Sequence, residues 1–341
     1  MARRDLVVVG ASAGGVEALV QLLHGLPPDL PAAVLVVLHM PPGARSALPA
    51  ILGRVCVLPV AHAIDGARLE RGTVTVAVPD RHLMVTDGSI SLSRGPRENG
   101  HRPAVDVLFR SAARAAGRRV VAVVLSGVRD DGTAGMIAVR ARGGVGLVQD
   151  PADSMYQSMP RNAAEIGGAE YAARAAEMGA LLADLLSEEV AEVDEPAASD
   201  LMDTETAMAN LDLDALTGDE RPGRPSGFGC PSCHGALFAI DEGGMERFRC
   251  RVGHAWSPES LAAEQGQALE GALWMALRAL EERAALSMRM GQRAGQRGHL
   301  ISAQGFQSRH DEAQGAAAVL RRLLQNGQLN GEVLPDDAAE A

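Results

Sequence analysis

The chain has 341 residues, room for one domain of about 200 residues and a smaller companion. Its apolar fraction of 47% is ordinary for a soluble protein, and its net charge of −11 argues against a general nucleic-acid binder. No apolar run reaches membrane-spanning length, and the first one is too short for a secretory h-region, so the expected location is the cytoplasm. Lysine is absent throughout, a compositional bias that excludes a P-loop.

Residues 5–10 read as a buried strand running into the turn Gly10-Ala11-Ser12-Ala13-Gly14-Gly15, with a helix over about 14–25. Ala33–His39 and Val55–Ala61 are two further strand-like runs, the first ending in His39-Met40-Pro41-Pro42. Residues 72–93 read differently. Thr73–Val78, His82–Thr86 and Ser89–Leu92 form short strands, and Asp87-Gly88 is a hairpin signal, so this stretch is expected to be an antiparallel insertion. A helix over Pro103–Ala116, a strand over Arg119–Leu125, a helix over Thr133–Arg142 and a strand over Gly146–Gln149 follow. Helices from Pro160 and over Ala175–Leu186 end the pattern. The alternation predicts a doubly wound, mostly parallel α/β sheet in a three-layer αβα domain spanning 1–187.

Residues 187–220 carry twelve acidic side chains and no basic one. They are expected to form a solvated linker over 188–226, with a transient helix near Asp203–Leu216. A cysteine-bearing module follows over 227–257, then a helical hairpin over 258–327 and an acidic tail over 328–341. Leu269, Leu273, Ala276, Leu280 and Ala284 share one helical face, and Ala313, Ala317, Leu320 and Leu324 form a second stripe. That seam serves either the hairpin itself or self-association.

Three polar residues fall where strands end: Ser12, His39 and Asp131. In open α/β sheets the carboxyl ends of the strands form the ligand crevice. A serine needs a base, and a histidine needs a carboxylate to fix its tautomer. Taken singly, Ser12 terminates a strand, His39 bonds a neighbouring loop and Asp131 caps the next helix. Together they form a candidate nucleophile, base and carboxylate. Ser12 stands where a dinucleotide-binding turn needs glycine. Gly10-Ala11-Ser12-Ala13-Gly14 matches the G-x-S-x-G elbow, but the order Ser, His, Asp is not that of an α/β-hydrolase.

Residues 5–187 resemble the catalytic domain of the CheB chemotaxis methylesterases. The likeness rests on Gly10–Gly15, Leu38-His39-Met40-Pro41, His101–Phe109, Leu125–Met136, Gln149-Asp150-Pro151 and Ser158-Met159-Pro160 with Ala163-Ala164. The resemblance implies a serine hydrolase, free of catalytic cofactors. It removes methyl groups from glutamyl methyl esters on the cytoplasmic domain of chemoreceptors, and in some members deamidates receptor glutamines. It assigns Ser12 as nucleophile, His39 as base, Asp131 as the orienting carboxylate and the Val128 amide as oxyanion donor. Ala13 departs from the usual Thr. Well-studied members begin with a receiver domain, whereas this chain opens at the catalytic strand, so receiver-gated autoinhibition within it is not expected. The competing functions are an esterase or amidase on a non-chemotaxis substrate and a non-enzymatic signalling adaptor that keeps the fold.

In the module, Cys230-x2-Cys233, sixteen residues and Cys250-x3-His254 have the count and character of a closed structural zinc site. His234 is the alternative fourth ligand, at a strained position beside Cys233. Phe238–Ile240 and Arg247–Arg249 read as ribbon strands. Arg247, Arg249 and Arg251 form a basic stripe, too little to imply nucleic acid in an acidic chain. The expected partners are a methylated receptor and a protein bound through the C-terminal helices, with no membrane insertion. Cys56 reads as a buried core residue.

Overall fold

Runs of Val, Leu and Ala without polar alternation bury both faces of a strand, as a parallel sheet covered by helices on each side demands. The computed structural model describes residues 2–43, 46–190, 196–217 and 223–325, in two units, Met1–Ser260 and Leu261–Ala341. The first unit opens with β1 (Ala2–Arg3), β2 (Leu6–Ala11), α1 (Gly15–His24), β3 (Ala33–Leu38), α2 (Leu48–Leu52), β4 (Val60–His62) and β5 (Thr73–Val76). The hairpin β6 (His82–Thr86) and β7 (Ser89–Ser93) follows, then α3 (Val105–Ala116), β8 (Val120–Val124), α4 (Thr133–Ala141) and β9 (Val145–Gln149). Then come α5 (Ser158–Glu165), β10 (Tyr171–Ala173), α6 (Met178–Ser187) and β11 (Glu189–Val190), the last antiparallel to β1.

Seven strands form one parallel sheet in the order β10-β9-β8-β2-β3-β5-β4. The chain winds outward from β2 through β3 and returns to β8 on β2's other flank. The topological switch therefore lies at β2, where ligands bind such sheets. Alternate residues of β2 feed opposite cores. Val7 and Val9 meet Leu19 and Leu22 of α1 and Leu182 of α6, while Leu6 and Val8 join the core containing Leu108 and Phe109 of α3. Burying each such side chain stabilises by roughly 1.5–3 kcal/mol, so the central strands are fixed most firmly.

Two strand expectations need correction. Thr73–Val76 lies in the main parallel sheet between β3 and β4, and only β6 and β7 form the antiparallel insertion. Its Thr-Val alternation mimics a half-buried antiparallel strand. Of Val55–Ala61 only the end becomes strand, in Val60–His62. Cys56 is buried in the core but precedes that strand.

The acidic stretch also differs from a solvated linker. It carries α7 (Asp200–Ala209), capped by the Ser199 hydroxyl, which accepts from the Met202 amide at 3.1 Å, and α8 (Leu213–Thr217). Met202, Glu205 and Met208 of α7 are buried, because Glu205 meets three arginines and Met202 joins the α3 core. Residues 191–195 and 218–222 of the expected linker lie outside the described residues.

The module is a four-stranded antiparallel sheet of β12 (Arg224–Gly229), β13 (Ala236–Glu242), β14 (Met245–Cys250) and β15 (Ala255–Trp256), and it belongs to the first unit. In the second unit, α9 (Pro258–Gln296), which begins just before it, and α10 (Leu300–Gln325) are joined at Gly298, whose φ of 77° suits glycine. Leu261, Leu277, Ala284, Ala313 and Ala317 are the buried apolar residues among its described ones, and His310 Nδ1 bonds the Ala284 carbonyl at 2.8 Å. Leu269 and Ala276 of the expected stripe are exposed, which narrows the seam. The acidic tail over 328–341 lies outside the described residues, among which no helix is long and apolar enough to cross a membrane.

Candidate active site and metal centre

Ser12 follows β2 directly. Its amide donates to the Ser126 carbonyl at 3.0 Å, and its carbonyl accepts from Gly15 at 2.9 Å. Gly14 supplies the left-handed turn residue, φ 69°, that lets α1 start at once. Gly127 lies against the serine: a side chain there would bring its Cβ within 2.9 Å of Ser12 Cβ and 2.1 Å of Met159 Sδ. The glycine is therefore required by close approach.

His39 follows β3, its amide donating to the Ala11 carbonyl at 3.1 Å, one residue before Ser12. Its Nε2 lies 2.7 Å from Asp131 Oδ2, in a pair whose side chains are 6% and 2% exposed. Nδ1 is buried and has no hydrogen-bond partner, Ser12 included. With Nε2 donating to Asp131, Nδ1 is the nitrogen that can accept a proton. The structure thus joins His39 to Asp131 and sets Ser12 on the neighbouring strand end.

Asp131 comes from the turn between β8 and α4. Its Oδ2 also accepts from the Val105 amide at 2.8 Å, and its Oδ1 from Asn99 Nδ2 at 3.0 Å and the Asp106 amide at 3.2 Å. Burial alone would push this carboxyl up. The hydrogen bond and charge of His39, then His101 and the Val105 amide, hold it well below the usual carboxylate range. Beside it, Asp106 is pushed well up by burial and by the Asp131 charge, while accepting from the Gly132 and Gly135 amides at 2.9 and 2.7 Å.

Several residues at this site carry no pattern of their own in the sequence. His101 stacks on His39 with ring centroids 3.6 Å apart and planes 10° apart. Burial, then the His39 charge, lowers its pKa to about 3, so it stays a neutral platform. Asn99 donates to Asp131, and the preceding residue, Asp130, is buried and accepts from the Ser257 and Ser260 hydroxyls. His101 stands in a stretch the family resemblance marks, but nothing there separates it from its neighbours. The rim carries Val128, Met155 and Tyr156, all exposed. The Gly127 amide is taken by the Tyr156 carbonyl at 3.0 Å.

The second candidate centre lies in the ribbon. One donor atom each from Cys230, Cys233, Cys250 and His254 come within 4.8 Å of one another. Cys233 Sγ and His254 Nδ1 each lie 3.6 Å from Cys250 Sγ, and no cysteine is in a disulfide. A tetrahedral ion about 2.3 Å from each sulfur would separate its sulfurs by about 3.8 Å, so the cluster fits such an ion. His234 stands outside it, on the Cys230 turn, where its amide donates to the Cys230 carbonyl at 2.8 Å. These four residues can hold a metal ion.

The basic stripe is not a surface. Arg247 and Arg249 are buried with Arg110 of α3 among Glu98, Glu205 and Glu242, three cations against three anions. Only Arg251 is exposed.

Comparison with known proteins agrees with this geometry. Residues 7–182 match the family model of the CheB methylesterase. A protein-glutamate methylesterase/protein-glutamine glutaminase of Pseudomonas aeruginosa is 42% identical over 174 residues, and one of Escherichia coli 40% over 172. Each alignment covers about half of this chain and about half of the relative. The crystal structure of the Thermotoga maritima CheB methylesterase catalytic domain matches over 54% of this chain and all of its own, with a TM-score of 0.52 and 33% identity. The seven-stranded parallel sheet is the fold of that domain, and the chain belongs to the CheB methylesterase family.

Proposed function

We propose that the chain is a protein-glutamate methylesterase acting on the cytoplasmic domain of methylated chemoreceptors, with glutamine deamidation as a second reaction of the same site. The observation that carries this reading is the buried His39–Asp131 pair beside Ser12, with Nδ1 of the imidazole left unpartnered. The names of the relatives support the substrate class.

The reaction is acyl transfer. Ser12 Oγ attacks the ester carbonyl as its proton passes to His39 Nδ1. The Asp131 carboxylate stabilises the imidazolium. The Val128 amide and the N-terminal end of α1 face the developing oxyanion. The tetrahedral intermediate expels methoxide, which takes the His39 proton and leaves as methanol. Water then attacks the glutamyl-serine ester, giving its proton to His39, and Ser12 departs with that proton. Ser12→Ala is expected to lower methanol release from methylated receptor by several orders of magnitude while the protein stays folded. Undiminished release would sink the assignment.

Cys230, Cys233, Cys250 and His254 are proposed to bind structural zinc. Three thiolates and an imidazole suit that ion, and four protein ligands leave no position for a reacting water.

A further inference from the structure

We propose that the ribbon is a positioning element for catalysis, holding the Asp131 carboxylate through Asn99 and Asp130. The proposal rests on the triad reading and adds a role for the module.

Asn99 connects the two. It is 2% exposed and sits at a left-handed φ of 51°. Its amide donates to the Ala255 carbonyl at 2.8 Å, and its Oδ1 accepts from the Ser257 amide at 2.9 Å. Ala255 opens β15, the last ribbon strand, and Ser257 directly follows it. The other end of the same side chain, Nδ2, donates to Asp131 Oδ1 at 3.0 Å and to Asp106 Oδ2 at 2.9 Å. One amide group therefore reads the ribbon backbone with its oxygen and orients the triad carboxylate with its nitrogen.

A second connection runs through the residue next to Asp131. Asp130 Oδ1 accepts from Ser257 Oγ at 2.6 Å and Ser260 Oγ at 3.1 Å, all three groups buried. The ion cluster makes this docking specific. Glu98, beside Asn99, takes Arg110 of α3 at 2.6 Å and Arg249 of the ribbon at 2.8 Å. Separating the ribbon would strip Glu98 of Arg247 and Arg249, partners it holds only when the ribbon is docked.

The cluster of metal-ligand residues sets the geometry of the connecting segment. His254 immediately precedes Ala255, and the Cys250 amide donates to the His254 carbonyl at 3.0 Å. Arg249 Nη1 donates to the Gly253 carbonyl at 2.7 Å. The turn that carries two of the four ligands is thus the turn from which Ala255 and Ser257 reach Asn99. An ordered ribbon fixes Asn99, and Asn99 fixes Asp131.

The test uses the full chain loaded with zinc, with Asn99→Ala and Ser257→Ala as variants. Asn99→Ala is expected to lower kcat about 10–100-fold with little change in KM, the size of a displaced catalytic group. Ser257→Ala, a milder change with a smaller folding risk, should lower kcat several-fold. A second readout does not depend on the substrate: the far-downfield NMR signal of the His39 ring proton shared with Asp131. It should broaden or shift upfield in Asn99→Ala, and in wild type after a chelator strips the ribbon. An unchanged signal in both cases overturns the proposal, as does wild-type kcat in both variants. If wild type releases no methanol but its His39 signal responds to the chelator, the substrate reading fails and the positioning role stands.

Discussion

A single carboxyl shows how residue-level environment becomes measurable. Burial pushes Asp130 up to about 6. The Ser257 and Ser260 hydroxyls pull it down, and Glu259 and Asp131 push it up. That value lies above the roughly 3.9 of an unfolded aspartate, so the folded protein binds this proton more tightly. The associated stability is fully present below about pH 4 and is lost as pH rises through about 6. Asp130→Asn keeps an acceptor for both serines and removes the ionisation. Its melting temperature should therefore fall less than that of wild type between about pH 5 and 7.5 in parallel thermal melts. An equal fall in both would contradict the assignment. At this scale the positions of Ser12, His39 and Asp131 at strand ends could be read from the sequence, and the structure pairs the last two. His101 and Asn99 could not be picked out, because stacking and a bridging amide depend on loops meeting in space.

Among elements, what could be read followed the source of burial. β2, β3, β8 and β9 are buried throughout and stand out as apolar runs. A helix is expected near Asp203–Leu216, but not the burial of α7, since Glu205 is buried by charge pairing rather than by apolar periodicity. The ribbon strands were legible because the cysteine spacing brackets them, although they extend further, to Ala236–Glu242 and Met245–Cys250. Their proposed zinc is open to direct measurement. Cys250→Ser should reduce bound zinc from about one ion per chain toward none in metal analysis of the purified protein. The seven-stranded sheet should keep its far-ultraviolet signature, since its cores lie apart from the four ligands. Full zinc retention would rule out this ligand set.

Over the whole molecule, the order of the pieces along the chain was legible and their association was not. Composition marked a change of character after Ser187 but carried no information on what Glu98 and Arg110 face. The cluster around them follows from an unusual trait of the chain, that every cation other than histidine is arginine. Guanidinium keeps its proton at any pH the protein survives, so Arg110, Arg247 and Arg249 cannot be switched off. Only the acid side of the cluster titrates. Burial would raise Glu98 and Glu205, but the arginines outweigh it, bringing Glu98 down to about 2 and Glu205 well below its usual range. Their contribution is complete above the unfolded glutamate value of about 4.3 and is lost as pH falls through about 2. Glu242 shifts the other way, raised by burial, so its share of the hold weakens as pH rises. Limited proteolysis should nonetheless free the ribbon in acid, as Glu98 and Glu205 take up protons and leave the arginines unpaired. A ribbon that stays protected through that range would mean that these ion pairs are not what holds it.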